Sequence, residues 1–299
     1  MTDALKNTAQ NTNADNNFTV GKPLQNSFKR VEQKYMLSRL QYELLLQMLK
    51  PYMIDDEYAY SDVCSLYYDT DSFDLIRRSI EKPVYKEKFR VRSYGKADGS
   101  SQIFAEIKKK YDGIVYKRRI ADSFDKVDDL LEGLSCGSVY KDINDANDSG
   151  AKDFDKDRQI KNEIGDLFRR YELKPQIFIG YRRYALKGKD DPGFRITFDT
   201  DLIYRTDRLD LREDFHGERL LEDDVVLMEV KIAGAAPLWL SSIFSKLKIY
   251  RTSFSKVGTA YTRFVLPEKF GGSQSQPAAA DDSIIWLNRN ITERRAISC

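Results

Sequence analysis

Between Tyr85 and Gly95 the chain reads YKEKFRVRSYG, which sets Lys86, Lys88, Arg90 and Arg92 on one parity. Tyr85, Phe89 and Val91 take the other parity, interrupted by Glu87. Successive side chains of a strand point to opposite faces, so one face collects like charges and the other is apolar. The segregation recurs along the chain. Arg30, Glu32 and Lys34 share a parity, as do Lys117 and Arg119. Glu106, Lys108 and Lys110 lie opposite Ile103, Ala105 and Ile107. Arg195, Thr197 and Asp199 lie opposite Phe194, Ile196 and Phe198, and Glu229 and Lys231 opposite Met228, Val230 and Ile232.

Two arrangements accommodate such strands. An open sheet turns its charged faces to solvent; a closed barrel turns them inward and packs the apolar faces against helices. Glu-x-Lys recurs at Glu32/Lys34, Glu106/Lys108 and Glu229/Lys231, and cations dominate the shared faces although 49 basic residues nearly balance 47 acidic ones. Both features favour the barrel. Its inward cations need water, carboxylates or an anionic ligand, because unpaired buried charge is very costly. A chain of phosphates held with a divalent metal suits this mixture. Arg forks phosphate oxygens, Lys adds a mobile charge, and carboxylates take Mg2+ or Mn2+.

Alternation and turn signals predict strands at 27–36, 60–69, 84–94, 101–111, 114–121, 175–187, 193–200, 202–206 and 225–233. Helices are expected at 38–50 with Ser38 as N-cap, 71–81, 123–134, 155–172 and 237–248 with Pro237 in the first turn. The sum is an antiparallel α+β protein with one large sheet system. Residues 1–24 and 268–299 read as flexible tails around a domain at 25–267, and the polar stretch Lys141 to Asp157 reads as a loop.

Several functions are excluded. A net charge of +2 argues against a nucleic-acid-coating protein. No apolar run reaches the roughly 18 residues of a membrane span, and the start lacks a signal pattern. Cys64, Cys136 and Cys299 show neither metal nor disulfide spacing, so a reduced cytoplasmic setting is expected. His216 is the only histidine, which removes histidine triads and histidine-rich zinc sites. No Walker-type loop is present.

The ordered series EQKY, SLYYDT, FRVRSYG, AEIKKK, GYRRYAL, FRITFDTDL, LMEVKI and RTSFSKVGTAY, from Phe28 to Phe264, resembles the VTC domain. That domain is the polyphosphate polymerase module of the vacuolar transporter chaperone complex, within the CYTH-like triphosphate tunnel metalloenzymes. The resemblance implies an antiparallel eight-stranded β tunnel with flanking helices. It implies phosphate binding by Lys34, Arg90, Arg92, Lys108, Lys117, Arg119, Arg183 and Arg195, with Arg183 preferred to Arg182. Glu229 is the implied metal ligand, and Glu32 and Glu106 are further carboxylate candidates. Lys256 matches the lysine at the end of the tunnel motif, with Ser255 beside it. Arg90, Arg92, Glu229 and Lys256 form the implied catalytic set. The implied activity is ATP-dependent polyphosphate synthesis with Mn2+ or Mg2+, with ATP and polyphosphate as partners, in a compact form like bacterial members. A tunnel triphosphatase and a non-enzymatic polyphosphate sensor are the rival readings.

Overall fold

The computed structural model describes residues 31–112, 114–137 and 152–270. The tails at 1–24 and beyond 270, the stretch 141–151, Arg30 and Cys299 lie outside these residues. The strands are β1 (Val31–Ser38), β2 (Met53–Asp69), β3 (Tyr85–Tyr94), β4 (Gln102–Tyr111), β5 (Ile114–Ser123), β6 (Lys174–Gly188), β7 (Arg195–Arg205), β8 (Glu218–Arg219), β9 (Val225–Ile232) and β10 (Arg251–Thr252). The helices are α1 (Arg39–Leu49), α2 (Asp74–Ile80), α3 (Phe124–Ser135), α4 (Lys152–Arg170), α5 (Leu238–Leu247) and α6 (Lys256–Ala260). A π-turn (Tyr261–Val265) and α7 (Leu266–Lys269) follow.

One antiparallel sheet runs β10-β1-β9-β7-β6-β2-β3-β4-β5, with β8 beside β7. The eight long strands are the expected eight; the two-residue pieces β8 and β10 bring the total to ten. The strands expected at 193–200 and 202–206 are one strand, β7, kinked at Asp201, whose φ is 49°. That left-handed residue shifts the inward parity, so the alternation looks broken in sequence. The start of β2 at Met53 was not legible, because its acidic MIDDEY stretch pairs irregularly with β6. The polar stretch expected to loop out through Asp157 is helical from Lys152. Pro237 is the N-cap of α5 rather than part of its first turn.

Apolar faces on the outside of the sheet are covered on two sides. Phe89, Val91, Ile103, Ala105 and Ile107 pack with Phe124, Val127, Ile164 and Leu167 of α3 and α4. Leu37, Phe194, Ile196, Met228 and Val230 pack with Leu45, Leu49, Leu240 and Ile243 of α1 and α5. Glu87, which interrupts the apolar parity of β3, is buried among these residues and satisfied. Arg170 of α4 donates to its oxygens at 2.9 and 3.2 Å and Tyr85 Oη donates at 2.7 Å.

Ser38 caps α1 as expected. Its Oγ accepts from the Gln41 N–H at 3.2 Å, while Gln41 Oε1 accepts from the Ser38 N–H at 2.9 Å. The free end of the same amide, Gln41 Nε2, donates to the Leu247 carbonyl at 2.9 Å and so ties α1 to the end of α5.

A third apolar group lies on the inner face. Met36, Val63, Ile177, Ile179 and Leu227 pack there with Ile76 of α2 and Val257 and Ala260 of α6. The inner wall is therefore apolar and filled for part of its length and charged for the rest.

The ladder has two ends, β10 and β5, and no backbone pairing joins them among the described residues. Side chains of β3 and β4 nevertheless approach the β1–β10 end. Lys88 Nζ of β3 reaches Ser255 Oγ at 3.4 Å, just beyond β10. Lys34 of β1 lies close enough to Lys108 of β4 to feel its charge.

Candidate active site

Register fixes the first cluster. Arg90, Glu106 and Arg119 stand opposite one another on β3, β4 and β5. Arg90 Nε donates to Glu106 Oε2 at 2.7 Å and its Nη1 to Tyr67 Oη at 3.0 Å. Arg92 Nε lies 3.8 Å from the same carboxylate oxygen, and Lys117 Nζ 2.6 Å from the other. Burial pushes the Glu106 carboxyl up, but Arg90, Arg92 and Lys117 outweigh it and hold the pKa at about 2. Glu106 is therefore ionised and serves as counter-ion to three cations.

The second cluster spans β6, β7 and α6. Asp199 is fully buried. Arg183 forks it, Nε to Oδ1 at 2.7 Å and Nη2 to Oδ2 at 2.8 Å, and Lys256 Nζ donates to Oδ2 at 2.6 Å. Burial again opposes ionisation, and Lys256 and Arg183 again outweigh it. The Tyr181 ring carries both cations, Arg183 at 5.1 Å and Lys256 at 4.2 Å from its centroid. Arg182 instead points outward, toward Asp62 and Asp201.

In the third cluster Glu229 of β9 stands between Lys34 of β1 and Thr197 of β7. Lys231 Nζ lies 2.8 Å from Glu229 Oε1. Burial pushes this carboxyl up, and Lys231, Lys34 and Arg183 bring it below the ordinary carboxylate range. Lys34 Nζ donates to the Phe254 carbonyl at 2.7 Å. Ser255 caps α6 through the Gly258 N–H, which aims Lys256 at Asp199.

Not every residue expected at the site lies deep. Lys108 and Arg119 share the inner parity but are exposed. Arg119 sits over the Phe104 ring at 4.8 Å. Arg195, at the start of β7, is exposed and ion-paired to Asp56. Glu32 is exposed beyond Lys34, opposite Lys231. Conversely, Asp199, Lys88 and Lys231, read from sequence only as members of charged faces, and Tyr67 and Tyr181 belong to the wall without having been expected at the site. The parity of Asp199 with Arg195 was visible; its partners on β6 and α6 were not. The aromatics of SLYYDT and GYRRYAL divide between Tyr68 and Tyr184, packed on the outer cores, and Tyr67 and Tyr181 on the inner wall.

Three inward polar atoms, Arg92 Nε, Ser65 Oγ and Thr197 Oγ1, are buried without a hydrogen-bond partner. A buried group left unmatched calls for a missing acceptor or donor. Arg92 asks for an acceptor, and both hydroxyls can donate to one.

Among the described residues no three His, Cys, Asp or Glu side chains gather into a cation cage. Glu106 and Asp199 have both oxygens engaged by cations, whereas Glu229 has an ion pair at Oε1 alone. This donor set fits a divalent cation that arrives with phosphate oxygens and takes one protein carboxylate, a common pattern for Mg2+.

Two groups of the wall titrate near neutrality. Burial, with repulsion from Lys86, Lys108 and Lys34, holds the Lys88 ammonium at about 8. Burial pushes the Tyr67 phenol up, but Arg90, Lys88 and Arg92 bring it down to about 8. Above that pH the wall loses a positive charge and gains a negative one. Tripolyphosphate affinity is expected to fall between about pH 7 and about pH 9. Both groups release protons more readily folded than unfolded, so fold stability should rise from about pH 8 up to their ordinary values of 10.5 and 10.0. Calorimetric titration across this range tests the first point, and Lys88→Arg with Tyr67→Phe should flatten it. A wild-type affinity that does not change would place both groups away from the ligand.

Comparison with known proteins adds relatives to this geometry. The family model described as the VTC domain matches residues 29–265. Vacuolar transporter chaperone complex subunit 4 of Trypanosoma brucei brucei is 30% identical over 155 residues, covering 48% of this chain and 19% of that protein. The subunit 4 of Schizosaccharomyces pombe is 24% identical over 218 residues, covering 64% and 30%. The chain thus spans less than a third of the length of these relatives. Among solved structures, a putative adenylyl cyclase from Hippeastrum, described as having a dominant triphosphatase activity, superposes with a TM-score of 0.40 at 14% identity. That superposition covers 83% of this chain and 100% of the other. Among the described residues no helix is long and apolar enough to cross a membrane.

Proposed function

The chain belongs to the VTC domain family, and from that premise we propose that it is an ATP-dependent polyphosphate polymerase. The observation that carries the reading is the buried Arg92 Nε, without an acceptor, on a wall that also presents Arg90, Arg183 and Lys256. Such a wall is built for oxygens of several linked phosphates. The terminal oxygen of a phosphate chain attacks the γ-phosphorus of ATP, the bond from that phosphorus to the β–γ bridging oxygen breaks, and ADP leaves. Transfer of this kind needs alignment and charge neutralisation more than covalent assistance.

Arg90 and Arg183 hold phosphate oxygens by forks whose other side is fixed by Glu106 and Asp199. Arg92 gains the acceptor it lacks. Lys256, locked by Asp199 and Tyr181, places its charge on the transferred group. Glu229 would hold Mn2+ or Mg2+ together with the phosphates, and the ion, when bound, supplies charge neutralisation between phosphate oxygens.

Incubation with ATP and Mn2+, followed by separation of products by size, tests the reading. A ladder of polyphosphate lengths is expected. Free phosphate without a ladder would make the protein a triphosphatase, and unchanged ATP would make it a binding module.

A further inference from the structure

Exposed apolar side chains concentrate at one end of the sheet. Register lines up Tyr85 of β3, Tyr111 of β4 and Ile114 of β5, and sets Tyr116 beside Lys109 on the same outer face. These four are 43–56% exposed. Val84, whose carbonyl accepts from the Asp112 N–H at 3.0 Å, is 65% exposed. Val115, opposite Lys110 on the inner parity, is 49% exposed. An apolar surface gathered in this way marks an interaction site.

Two further features meet at this tip. β5 ends the ladder, so one of its edges has no backbone partner among the described residues. Lys82 and Lys110 lie close enough to Lys86 to disfavour its charge, so cations crowd the tip beside the exposed Asp112. An open edge that is apolar on both faces fits an added strand, itself a continuous apolar run. Carboxylates at one end of that strand would suit the cations. The chain contains such a segment: Asp281, Asp282 and Ser283 lead into Ile284, Ile285, Trp286 and Leu287. β-branched and aromatic residues favour strands.

We propose that residues 284–287 of this same chain dock on the tip of β3, β4 and β5 and add a short strand to the free edge of β5. The assignment concerns the outside of the sheet and is independent of the polymerase reading. Geometry supplies the tether. The described chain ends at Phe270, where Lys269 Nζ lies 4.7 Å from the centre of the Phe73 ring. Phe73 precedes α2, whose far end meets β3 where Lys86 Nζ donates to the Ser79 carbonyl at 3.0 Å. That path is roughly 10 Å along the helix and about 10 Å more across the three strands. Residues 271–283 reach roughly 45 Å when extended, so the segment arrives with slack. A tether of this length holds it at a local concentration on the order of millimolar. Docking also covers an edge otherwise open to pairing with other chains.

Hydrogen exchange read by mass spectrometry on the full chain tests the contact. Wild type is compared with a tail variant, Ile285→Ser with Trp286→Ser, and a tip variant, Tyr111→Ser with Ile114→Ser. Exchange across residues 114–119 should be roughly tenfold or more slower in wild type than in the tail variant. Residues 284–287 should lose protection in the tip variant. Unchanged exchange in β6 and β7 shows that each variant keeps its fold. Trp286 gives a second reading: its emission, isolated by difference against Trp286→Phe, should move to the red in the tip variant.

Fast exchange of β5 and of residues 284–287 alike in all three proteins would overturn the docking. Tail protection that survives the tip variant would place the segment elsewhere and overturn it too. Protection that fades on dilution, with a dimer seen in sedimentation, would make a second copy's tail the occupant. Slower exchange at the tip on adding phosphatidylcholine–phosphatidylserine vesicles, with the tail unprotected, would make the tip a lipid surface. Either of these last results removes the contact as proposed.

Discussion

Glu229→Gln should lower turnover of ATP by about 10^2–10^3 while leaving tripolyphosphate binding intact or tighter. The substitution keeps the shape of the side chain and removes one negative charge from a site bordered by Lys34, Lys231 and Arg183. A bare polyanion then meets a more positive wall, so binding in the absence of metal does not suffer. What the variant lacks is the ionised oxygen that, in the proposed reading, would take a phosphate-bound cation. Activity measured across Mn2+ concentrations, beside metal-free calorimetry, separates the two effects. Equal loss of binding and turnover would make Glu229 a structural counter-ion, and full activity would remove the metal role proposed for it.

Asp199→Ala should be the most destabilising single change in the wall, by about 3–5 kcal/mol, because it strands two buried cations. Asp199 is fully buried, and Arg183 and Lys256 both depend on it. The sign of a ligand effect makes the prediction specific. Phosphate oxygens can replace the lost carboxylate, so tripolyphosphate should raise the melting temperature of the variant more than that of wild type. Thermal melts with and without tripolyphosphate measure both quantities. A variant that melts like wild type would show that the cations are held by other contacts. A variant that ligand does not rescue would separate this cluster from the phosphate site.

Parity within strands was legible, and with it the segregation of charged from apolar faces. Ile103, Ala105 and Ile107 on β4, Phe194 just before β7, and Ile196 and Phe198 on β7 are buried on the outside as their alternation requires. Which inner residue meets which was not legible, because that depends on register between strands distant in sequence. Asp199 finds Arg183 across β6 and β7, and Lys256 from a segment 57 residues away. No local signal links the three. The helix α6 escaped notice for a related reason: it is five residues long and is specified by the Ser255 cap and by burial of Val257 and Ala260. Periodicity over a single turn carries almost no information. The choice of Arg183 over Arg182 was open to alternation only once the bulge between Gly180 and Arg182 was known. Gly180 beside it lets the Phe215 ring approach closely, since a Cβ there would stand 2.8 Å from that ring.

The carboxylates that neutralise the arginine clusters are also rivals of whatever binds there. Glu106 already offers Arg90 an anion at 2.7 Å, and Asp199 does the same for Arg183. An incoming phosphate gains only the difference between its own contacts and those it weakens, while a departing one is replaced at once by an oxygen waiting within reach. Grip is thereby moderated and release eased, as the proposed polymerase reaction would require when ADP leaves after each transfer. Tight holding of the ground state would slow that cycle without hastening the chemical step.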